Sequence, residues 1–127
     1  MIILGEVNVE PLFKAKQRFD TFSANLNTDQ DKAGAIQSFE FCYELSWKTL
    51  KRILRVKGIE VSSPHDAFRE AAKNKLIDNV EQWFEFLEGR NQTTHTYSEV
   101  YVNEVVQLFP AFKKALESLV EKIKGLK

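Results

Sequence analysis

The sequence predicts an all-α fold, an antiparallel up-and-down bundle of four or five helices, and three observations carry that prediction. Apolar residues recur at spacings of three and four along successive stretches, the period of one helix face. The chain holds only five glycines and three prolines, and no Asn-Gly or Asp-Gly hairpin signal. Helix start and stop residues stand where the periodic stretches begin and end. At 127 residues this is one domain, residues 1–127, long enough to bury an ordinary core.

The first helix is expected from about Val9 to Leu26, with Leu12, Ala15, Phe19, Phe22 and Leu26 on one stripe and Lys14, Arg18 and Asn25 opposite. Thr28 with Asp31 reads as an N-cap pair for a long second helix that ends at Gly58, a natural left-handed stop. Ile36, Phe39, Tyr43, Trp47, Leu50 and Leu54 form its stripe, and Phe41, Leu45 and Ile53 widen it. So wide a stripe calls either for two helix neighbours or for a dimer face. Ser63-Pro64 opens a third helix that runs to about Asn74 with Ala67, Phe68, Ala71 and Ala72 inward. Asn79 caps a fourth, whose Val80, Trp83, Phe84 and Leu87 face the core, Trp83 as an anchor. A last apolar face runs through Val100, Val105, Leu108, Phe112, Leu116, Leu119 and Ile123, with Pro110 breaking it near Gln107.

Lysine plus arginine equals aspartate plus glutamate at 18 each, so no global field draws the chain to nucleic acid or membrane. Any grip on RNA must be local. The single cysteine, Cys42, closes no intrachain disulfide, the N-terminus lacks the basic flank of a signal peptide, and no apolar run approaches a membrane span. The expectation is a soluble, cytoplasmic protein. His65 reads as ordinary surface. Glu40 and Glu44 lie one turn apart without a histidine pair and make no metal motif, Glu44 pairing instead with Lys48. The run Lys48, Lys51, Arg52, Arg55 and Lys57 contains no acid. It is a solvated face at the negative helix end or a phosphate-tracking patch for RNA or a partner.

The chemistry concentrates in Arg90-Asn91-Gln92-Thr93-Thr94-His95-Thr96-Tyr97. On one unbroken helix the five-residue step from Arg90 to His95 turns by about 140° and points the two side chains apart. They converge only if the helix breaks between them or a second copy supplies one of them. Gly89, Asn91 and the three threonines favour a break. Thr96 with Glu99 reads as the capping box of the next helix, with His95 just before it and Tyr97 in its first turn. A helix N-terminus suits a phosphate, Arg90 adds a two-pronged cation, and His95 supplies a base titrating near neutrality. Such a set fits metal-free cleavage of RNA: the base takes the 2′-OH proton while the guanidinium stabilises the phosphoryl oxygens. The plain alternative is two loop residues that close helix ends.

Arg-x4-His-x-Tyr resembles the signature of one branch of the HEPN superfamily, the HepT-like nucleotidyltransferase substrate-binding proteins. Phe39 to Lys51 is similar to that family's long second helix. Ser63-Pro64, Arg69-Glu70-Ala71, Leu76-Ile77-Asp78 and Trp83 are similar to its middle section, so the resemblance runs from about Phe39 to Tyr101. Lys75 departs from it where a glycine is expected, which bears on that turn's geometry. The resemblance implies a homodimer, a cognate minimal nucleotidyltransferase as partner, RNA as substrate, and no cofactor or metal. It also implies a metal-independent ribonuclease toxin with Arg90 and His95 catalytic and Asn91 as supporting polar residue. Tyr97 would receive AMP from the antitoxin. The alternative within the family is a docking subunit for the nucleotidyltransferase that does no chemistry itself.

Overall fold

A computed structural model describes residues 1–92 and 98–127. Six helices follow a short N-terminal ribbon among these residues: α1 (Glu10–Ser23), α2 (Asp29–Val56), α3 (Pro64–Lys73), α4 (Val80–Gln92), α5 (Glu99–Gln107) and α6 (Phe109–Lys124). The last two are the expected C-terminal helix divided at Pro110. Leu108 is the joint, and Pro110 sits in the first turn of α6, where its missing N–H costs nothing.

Local capping explains most of the boundaries. Thr28 Oγ1 accepts from the Asp31 N–H and the Asp31 carboxylate accepts from the Thr28 N–H, both at 3.0 Å, a reciprocal box that starts α2. The Ser63 hydroxyl accepts from the Asp66 N–H at 3.2 Å to start α3, and the Asn79 side chain accepts from the Gln82 N–H at 3.2 Å to start α4. Two expected boundaries move. Helix α1 stops at Ser23 rather than Leu26, and the Asn25 side chain bonds the Asn27 N–H instead of continuing the helix. Helix α5 starts from Ser98, an extended residue, so Glu99 is its first residue and not the third of a box with Thr96. Its buried face begins past Val100, which is 64% exposed, so the register is set further along by Val105.

The ribbon is the element that the turn signals missed. Ile2–Ile3 pairs antiparallel with Val7–Asn8, and the turn between them carries positive φ at Leu4 (52°) and Gly5 (80°), as the primed hairpin turns do. Leucine in that position is no turn signal, but Ile3 and Val7 are buried and hold the ribbon against the core. The Leu4 N–H reaches the Lys127 carbonyl at 3.2 Å.

Helix α2 answers the question of its own wide stripe, because it packs against α1, α3, α4 and α5. Ile53 is buried and Leu45 half-buried, which leaves Phe41 exposed at 56%. The aromatic residues form one cluster. The Phe112 ring meets Phe19 of α1 at 5.1 Å, Phe39 of α2 at 4.8 Å, and Trp83 and Phe86 of α4 at 5.9 and 5.1 Å, all edge to face. Trp83 also stacks on Phe68 of α3 at 4.9 Å. Its place in the core is the expected one. Phe22, expected on the α1 stripe, is 42% exposed and stands one residue before the end of that helix. Asp78, between α3 and α4, ties to Lys122 and Ser118 of α6, and these bonds hold its carboxyl below the usual carboxylate range. Among the described residues no helix is long and apolar enough to cross a membrane.

Two helix ends form a matched pair. At the end of α2 the Gly58 N–H bonds the Arg55 carbonyl and the Ile59 N–H bonds the Leu54 carbonyl, both at 2.9 Å. At the end of α3 the Lys75 N–H bonds the Ala72 carbonyl at 3.1 Å and the Leu76 N–H the Ala71 carbonyl at 2.8 Å. Both are Schellman stops with a left-handed residue, φ 85° at Gly58 and 59° at Lys75. Lysine therefore occupies the turn that suits glycine. Lys75→Gly should raise stability by about 1 kcal/mol, read as a thermal midpoint roughly 2–6 °C higher, and Gly58→Ala should lower it comparably. A fall in midpoint for Lys75→Gly would show that the lysine side chain outweighs the backbone strain.

Cys42 lies on the buried face of α2, and burial, with Asp20 adding to it, pushes its thiol up to about 12. The thiolate is the reactive form. The native protein should therefore resist a maleimide or disulfide reagent at pH 8 and react once unfolded in denaturant. Rapid labelling of the folded protein would contradict this burial.

Candidate functional site

Arg90 sits in the last turn of α4, and the position of that turn follows from the residue before it. Gly89 is buried, and a Cβ placed on it would lie 2.3 Å from Cδ1 of Leu108. Leu108, the joint between α5 and α6, thus fills the space where a side chain would stand. Glycine inside a helix is unfavourable by roughly 0.5–1 kcal/mol; here it permits close approach of the α5–α6 joint to α4. Phe86 and Trp83 fix the same helix from the core side.

From this position the Arg90 side chain, 28% exposed, reaches across to α2. Its Nη1 is 3.9 Å from Glu40 Oε2 and its Nε 3.5 Å from Glu44 Oε1. Glu44 is itself held, since its Oε2 accepts from the Trp47 indole N–H at 3.1 Å and lies 3.8 Å from Lys48 Nζ. The expected Glu44–Lys48 pair is therefore present, as part of a larger set. Partly exposed pairs of this kind add about 0–1 kcal/mol to stability. Their consequence is orientation: two carboxylates from one helix aim a guanidinium from another. Tyr43 is buried beside them. Burial raises its hydroxyl above the ordinary tyrosine range, Glu44 adds to this and Arg90 opposes it, and the hydroxyl has no hydrogen-bond partner among the described residues.

Helix α4 is described as far as Gln92, and Ser98, ahead of α5, is extended. His95 and Tyr97, with Thr93, Thr94 and Thr96, lie outside the described residues. Asn91 is in the last turn of α4 and exposed. Nothing in the sequence joins Glu40 and Glu44 to Arg90. Their one-turn spacing was visible, but nothing local pointed to an arginine some fifty residues on.

The basic run divides. Lys48 pairs with Glu44, Lys51 Nζ lies 5.9 Å above the Trp47 ring, and Arg55 Nε is 3.6 Å from Glu60. Arg52 is exposed and makes no ion pair among the described residues. His65 is exposed as expected but has partners: its ring stacks on Phe84 at 4.0 Å, and Nδ1 is 3.3 Å from Arg69 Nη2. Gln37, Glu40, Phe41, Glu44 and Arg90 line an open recess of about 200 Å³ between α2 and α4.

The chain has relatives among known proteins. A family model described as "Nucleotidyltransferase substrate binding protein like" matches residues 8–125. Over 72 residues the chain is 42% identical to a Haemophilus influenzae protein named "Probable ribonuclease HepT", covering 53% of this chain and 49% of that protein. The chain thus spans about half the length of the curated relative it matches. A solved H. influenzae structure, described as revealing the fold of a substrate binding domain of a nucleotidyltransferase, is 29% identical. It superposes with a TM-score of 0.82 over 92% of this chain and 99% of its own. A tri-AMPylated Shewanella oneidensis HEPN toxin, solved in complex with MNT antitoxin, shares the fold at 18% identity, with a TM-score of 0.75 over 92% and 93% of the two chains. A match across residues 8–125, on a helical scaffold shared with these structures, makes this chain a member of the nucleotidyltransferase substrate-binding protein family.

Proposed function

We propose that this chain, as a single domain over residues 1–127, is the HEPN subunit of a two-component, toxin-antitoxin-like nucleotidyltransferase system. In this reading it is a metal-independent endoribonuclease whose catalytic residues are Arg90 and His95, supported by Asn91. The observation that carries the reading is the guanidinium of Arg90, aimed by Glu40 and Glu44 at the end of α4, next to the segment bearing His95. The names borne by the H. influenzae and S. oneidensis relatives support it.

The chemistry follows from the two groups. Neutral His95 takes the proton of a ribose 2′-OH, and the 2′ oxygen attacks the adjacent phosphorus. The bond to the 5′ oxygen breaks, and that oxygen takes up a proton from solvent, leaving a 2′,3′-cyclic phosphate and a 5′-hydroxyl. Arg90 stabilises the charge gathering on the non-bridging oxygens. Lys48, Lys51, Arg52 and Arg55 of α2 are the backbone-tracking cations of this reading. The unit is a homodimer in the cytoplasm, where the second copy completes the site. Restraint comes from the partner: the Tyr97 hydroxyl attacks the α-phosphorus of ATP, pyrophosphate leaves, and the AMP that remains fills the phosphate space with its own anion.

A second reading has two observations in its favour. The carboxylates that aim Arg90 also offset its charge, and the chain's net charge is zero, both poor for gripping RNA. A docking subunit for the nucleotidyltransferase, without chemistry of its own, would need neither.

Incubation of purified protein with RNA in excess chelator separates the two, with persistent cleavage expected. Arg90→Ala and His95→Ala should each lower the cleavage rate by about 10²- to 10³-fold and leave the thermal midpoint within a few degrees. Cleavage by both variants at the wild-type rate would remove these residues from the chemistry. After coexpression with the cognate nucleotidyltransferase and ATP, intact mass should rise in steps of one AMP, and Tyr97→Phe should abolish the shift. Persistence of the shift in that variant would assign modification to another residue.

A further inference from the structure

One face of α2 carries an unusual stripe. Gln37, Glu40, Phe41 and Glu44 follow at i, i+3, i+4 and i+7, the spacing of one helix face, and together with Arg90 they line the 200 Å³ recess. Phe41 leaves 56% of its surface to solvent, uncommon for so large a ring in a chain that buries Phe19, Phe39, Phe68, Phe86 and Phe112 completely. Aromatic rings placed this way offer a stacking surface to a planar group.

Charge narrows the occupant. Glu40 and Glu44 outnumber the one guanidinium that lines the recess with them, so a phosphate is favoured only at its Arg90 end, and a group seated between Phe41 and Glu40 is one that bears N–H donors. Glu44 is engaged by Trp47, Lys48 and Arg90. Glu40 is held only through one oxygen, at 3.9 Å from Arg90 Nη1, and accepts no hydrogen bond from the described residues. Its carboxylate therefore remains an acceptor for a pair of donors. Gln37, exposed one turn away, adds an amide donor and acceptor.

We propose that this recess receives the nucleobase adjoining the cleaved phosphate and selects guanine, with Phe41 stacking on the ring and Glu40 and Gln37 reading its edge. Guanine presents N1–H and N2–H side by side, which suits one carboxylate, and O6 beside them for the Gln37 amide. Adenine and cytosine place a ring-nitrogen lone pair next to their amino group, against the carboxylate oxygens. Uracil has one N–H between two carbonyls. The stripe continues along α2 into Lys48, Lys51, Arg52 and Arg55, so a strand whose base sits on Phe41 has cations for its backbone within the next ~21 Å. The proposal rests on the ribonuclease reading for its substrate, but the recess can be tested by binding alone.

The experiment uses the full chain, wild type, Phe41→Ala, Phe41→Trp and Gln37→Ala. Each is tested against RNA oligonucleotides with one guanosine in an otherwise uniform strand, and against the four 5′-mononucleotides by NMR shifts of the Gln37 amide and neighbouring backbone. The wild type is expected to cut beside guanosine and to bind guanosine 5′-monophosphate over the other three. Phe41→Ala should weaken both by about ten- to a hundredfold, with the cleavage loss falling on KM, Phe41→Trp should restore them, and Gln37→Ala should erode the preference for guanine. Absent cleavage by the wild type, with guanosine 5′-monophosphate bound and lost in Phe41→Ala, would sink the ribonuclease reading and leave the recess standing. Equal binding of all four nucleotides, or binding unchanged in Phe41→Ala, would overturn the proposal. So would a shift of Phe41→Ala from dimer to monomer by light scattering, which would make that ring a contact between copies.

Discussion

The fold depends on the ring of Phe112. It is the point at which α6 meets α1, α2 and α4 at once, through edge-to-face contacts with Phe19, Phe39, Trp83 and Phe86. Each such pair adds about 0.5–1.5 kcal/mol beyond the area it buries, and the geometry is more restrictive than aliphatic packing. Helix α4 is thereby locked against α2 at a set height. That height puts Arg90 opposite Glu40 and Glu44 rather than a turn above or below them.

The same constraint explains two otherwise odd choices beside the site. Gly89 is a poor helix residue, yet any side chain there would meet Leu108, whose place is dictated by the break at Pro110. A glycine on one helix and a proline on another thus serve one purpose, letting the joint of the C-terminal arm press against the turn that carries Arg90. Tyr43, buried without a hydroxyl partner among the described residues, lies under that turn.

Electrostatically the site is built from compensation. Arg90 is matched by Glu40 and Glu44, Glu44 by Lys48, and the whole chain balances at zero. A guanidinium in this setting is a positioned group rather than a strong attractor. In the reaction proposed above its contribution would be to transition-state charge, where orientation counts, and affinity for a strand would fall to the cations of α2 and the exposed Phe41 ring.

Local chemistry determined much of this protein by itself. The caps at Thr28, Ser63 and Asn79, the stop at Gly58, the break at Pro110 and the inward faces of α2, α3 and α6 follow from side-chain hydrogen bonding and from a 3.6-residue period, which act within a few residues. The motif from Arg90 to Tyr97 stands in the sequence alone, since residues 93–97 lie outside the described residues. What lay beyond sequence reasoning depends on distant parts of the chain. The Leu4-Gly5 turn carries no local signal and is held by burial of Ile3 and Val7. Ser98 rather than Thr96 starts α5 because packing at Val105 sets its register. Glu40 and Glu44 became partners of Arg90 only when the aromatic core brought α2 and α4 together, since a carboxylate's neighbours across a helix interface are fixed by packing and not by its own spelling.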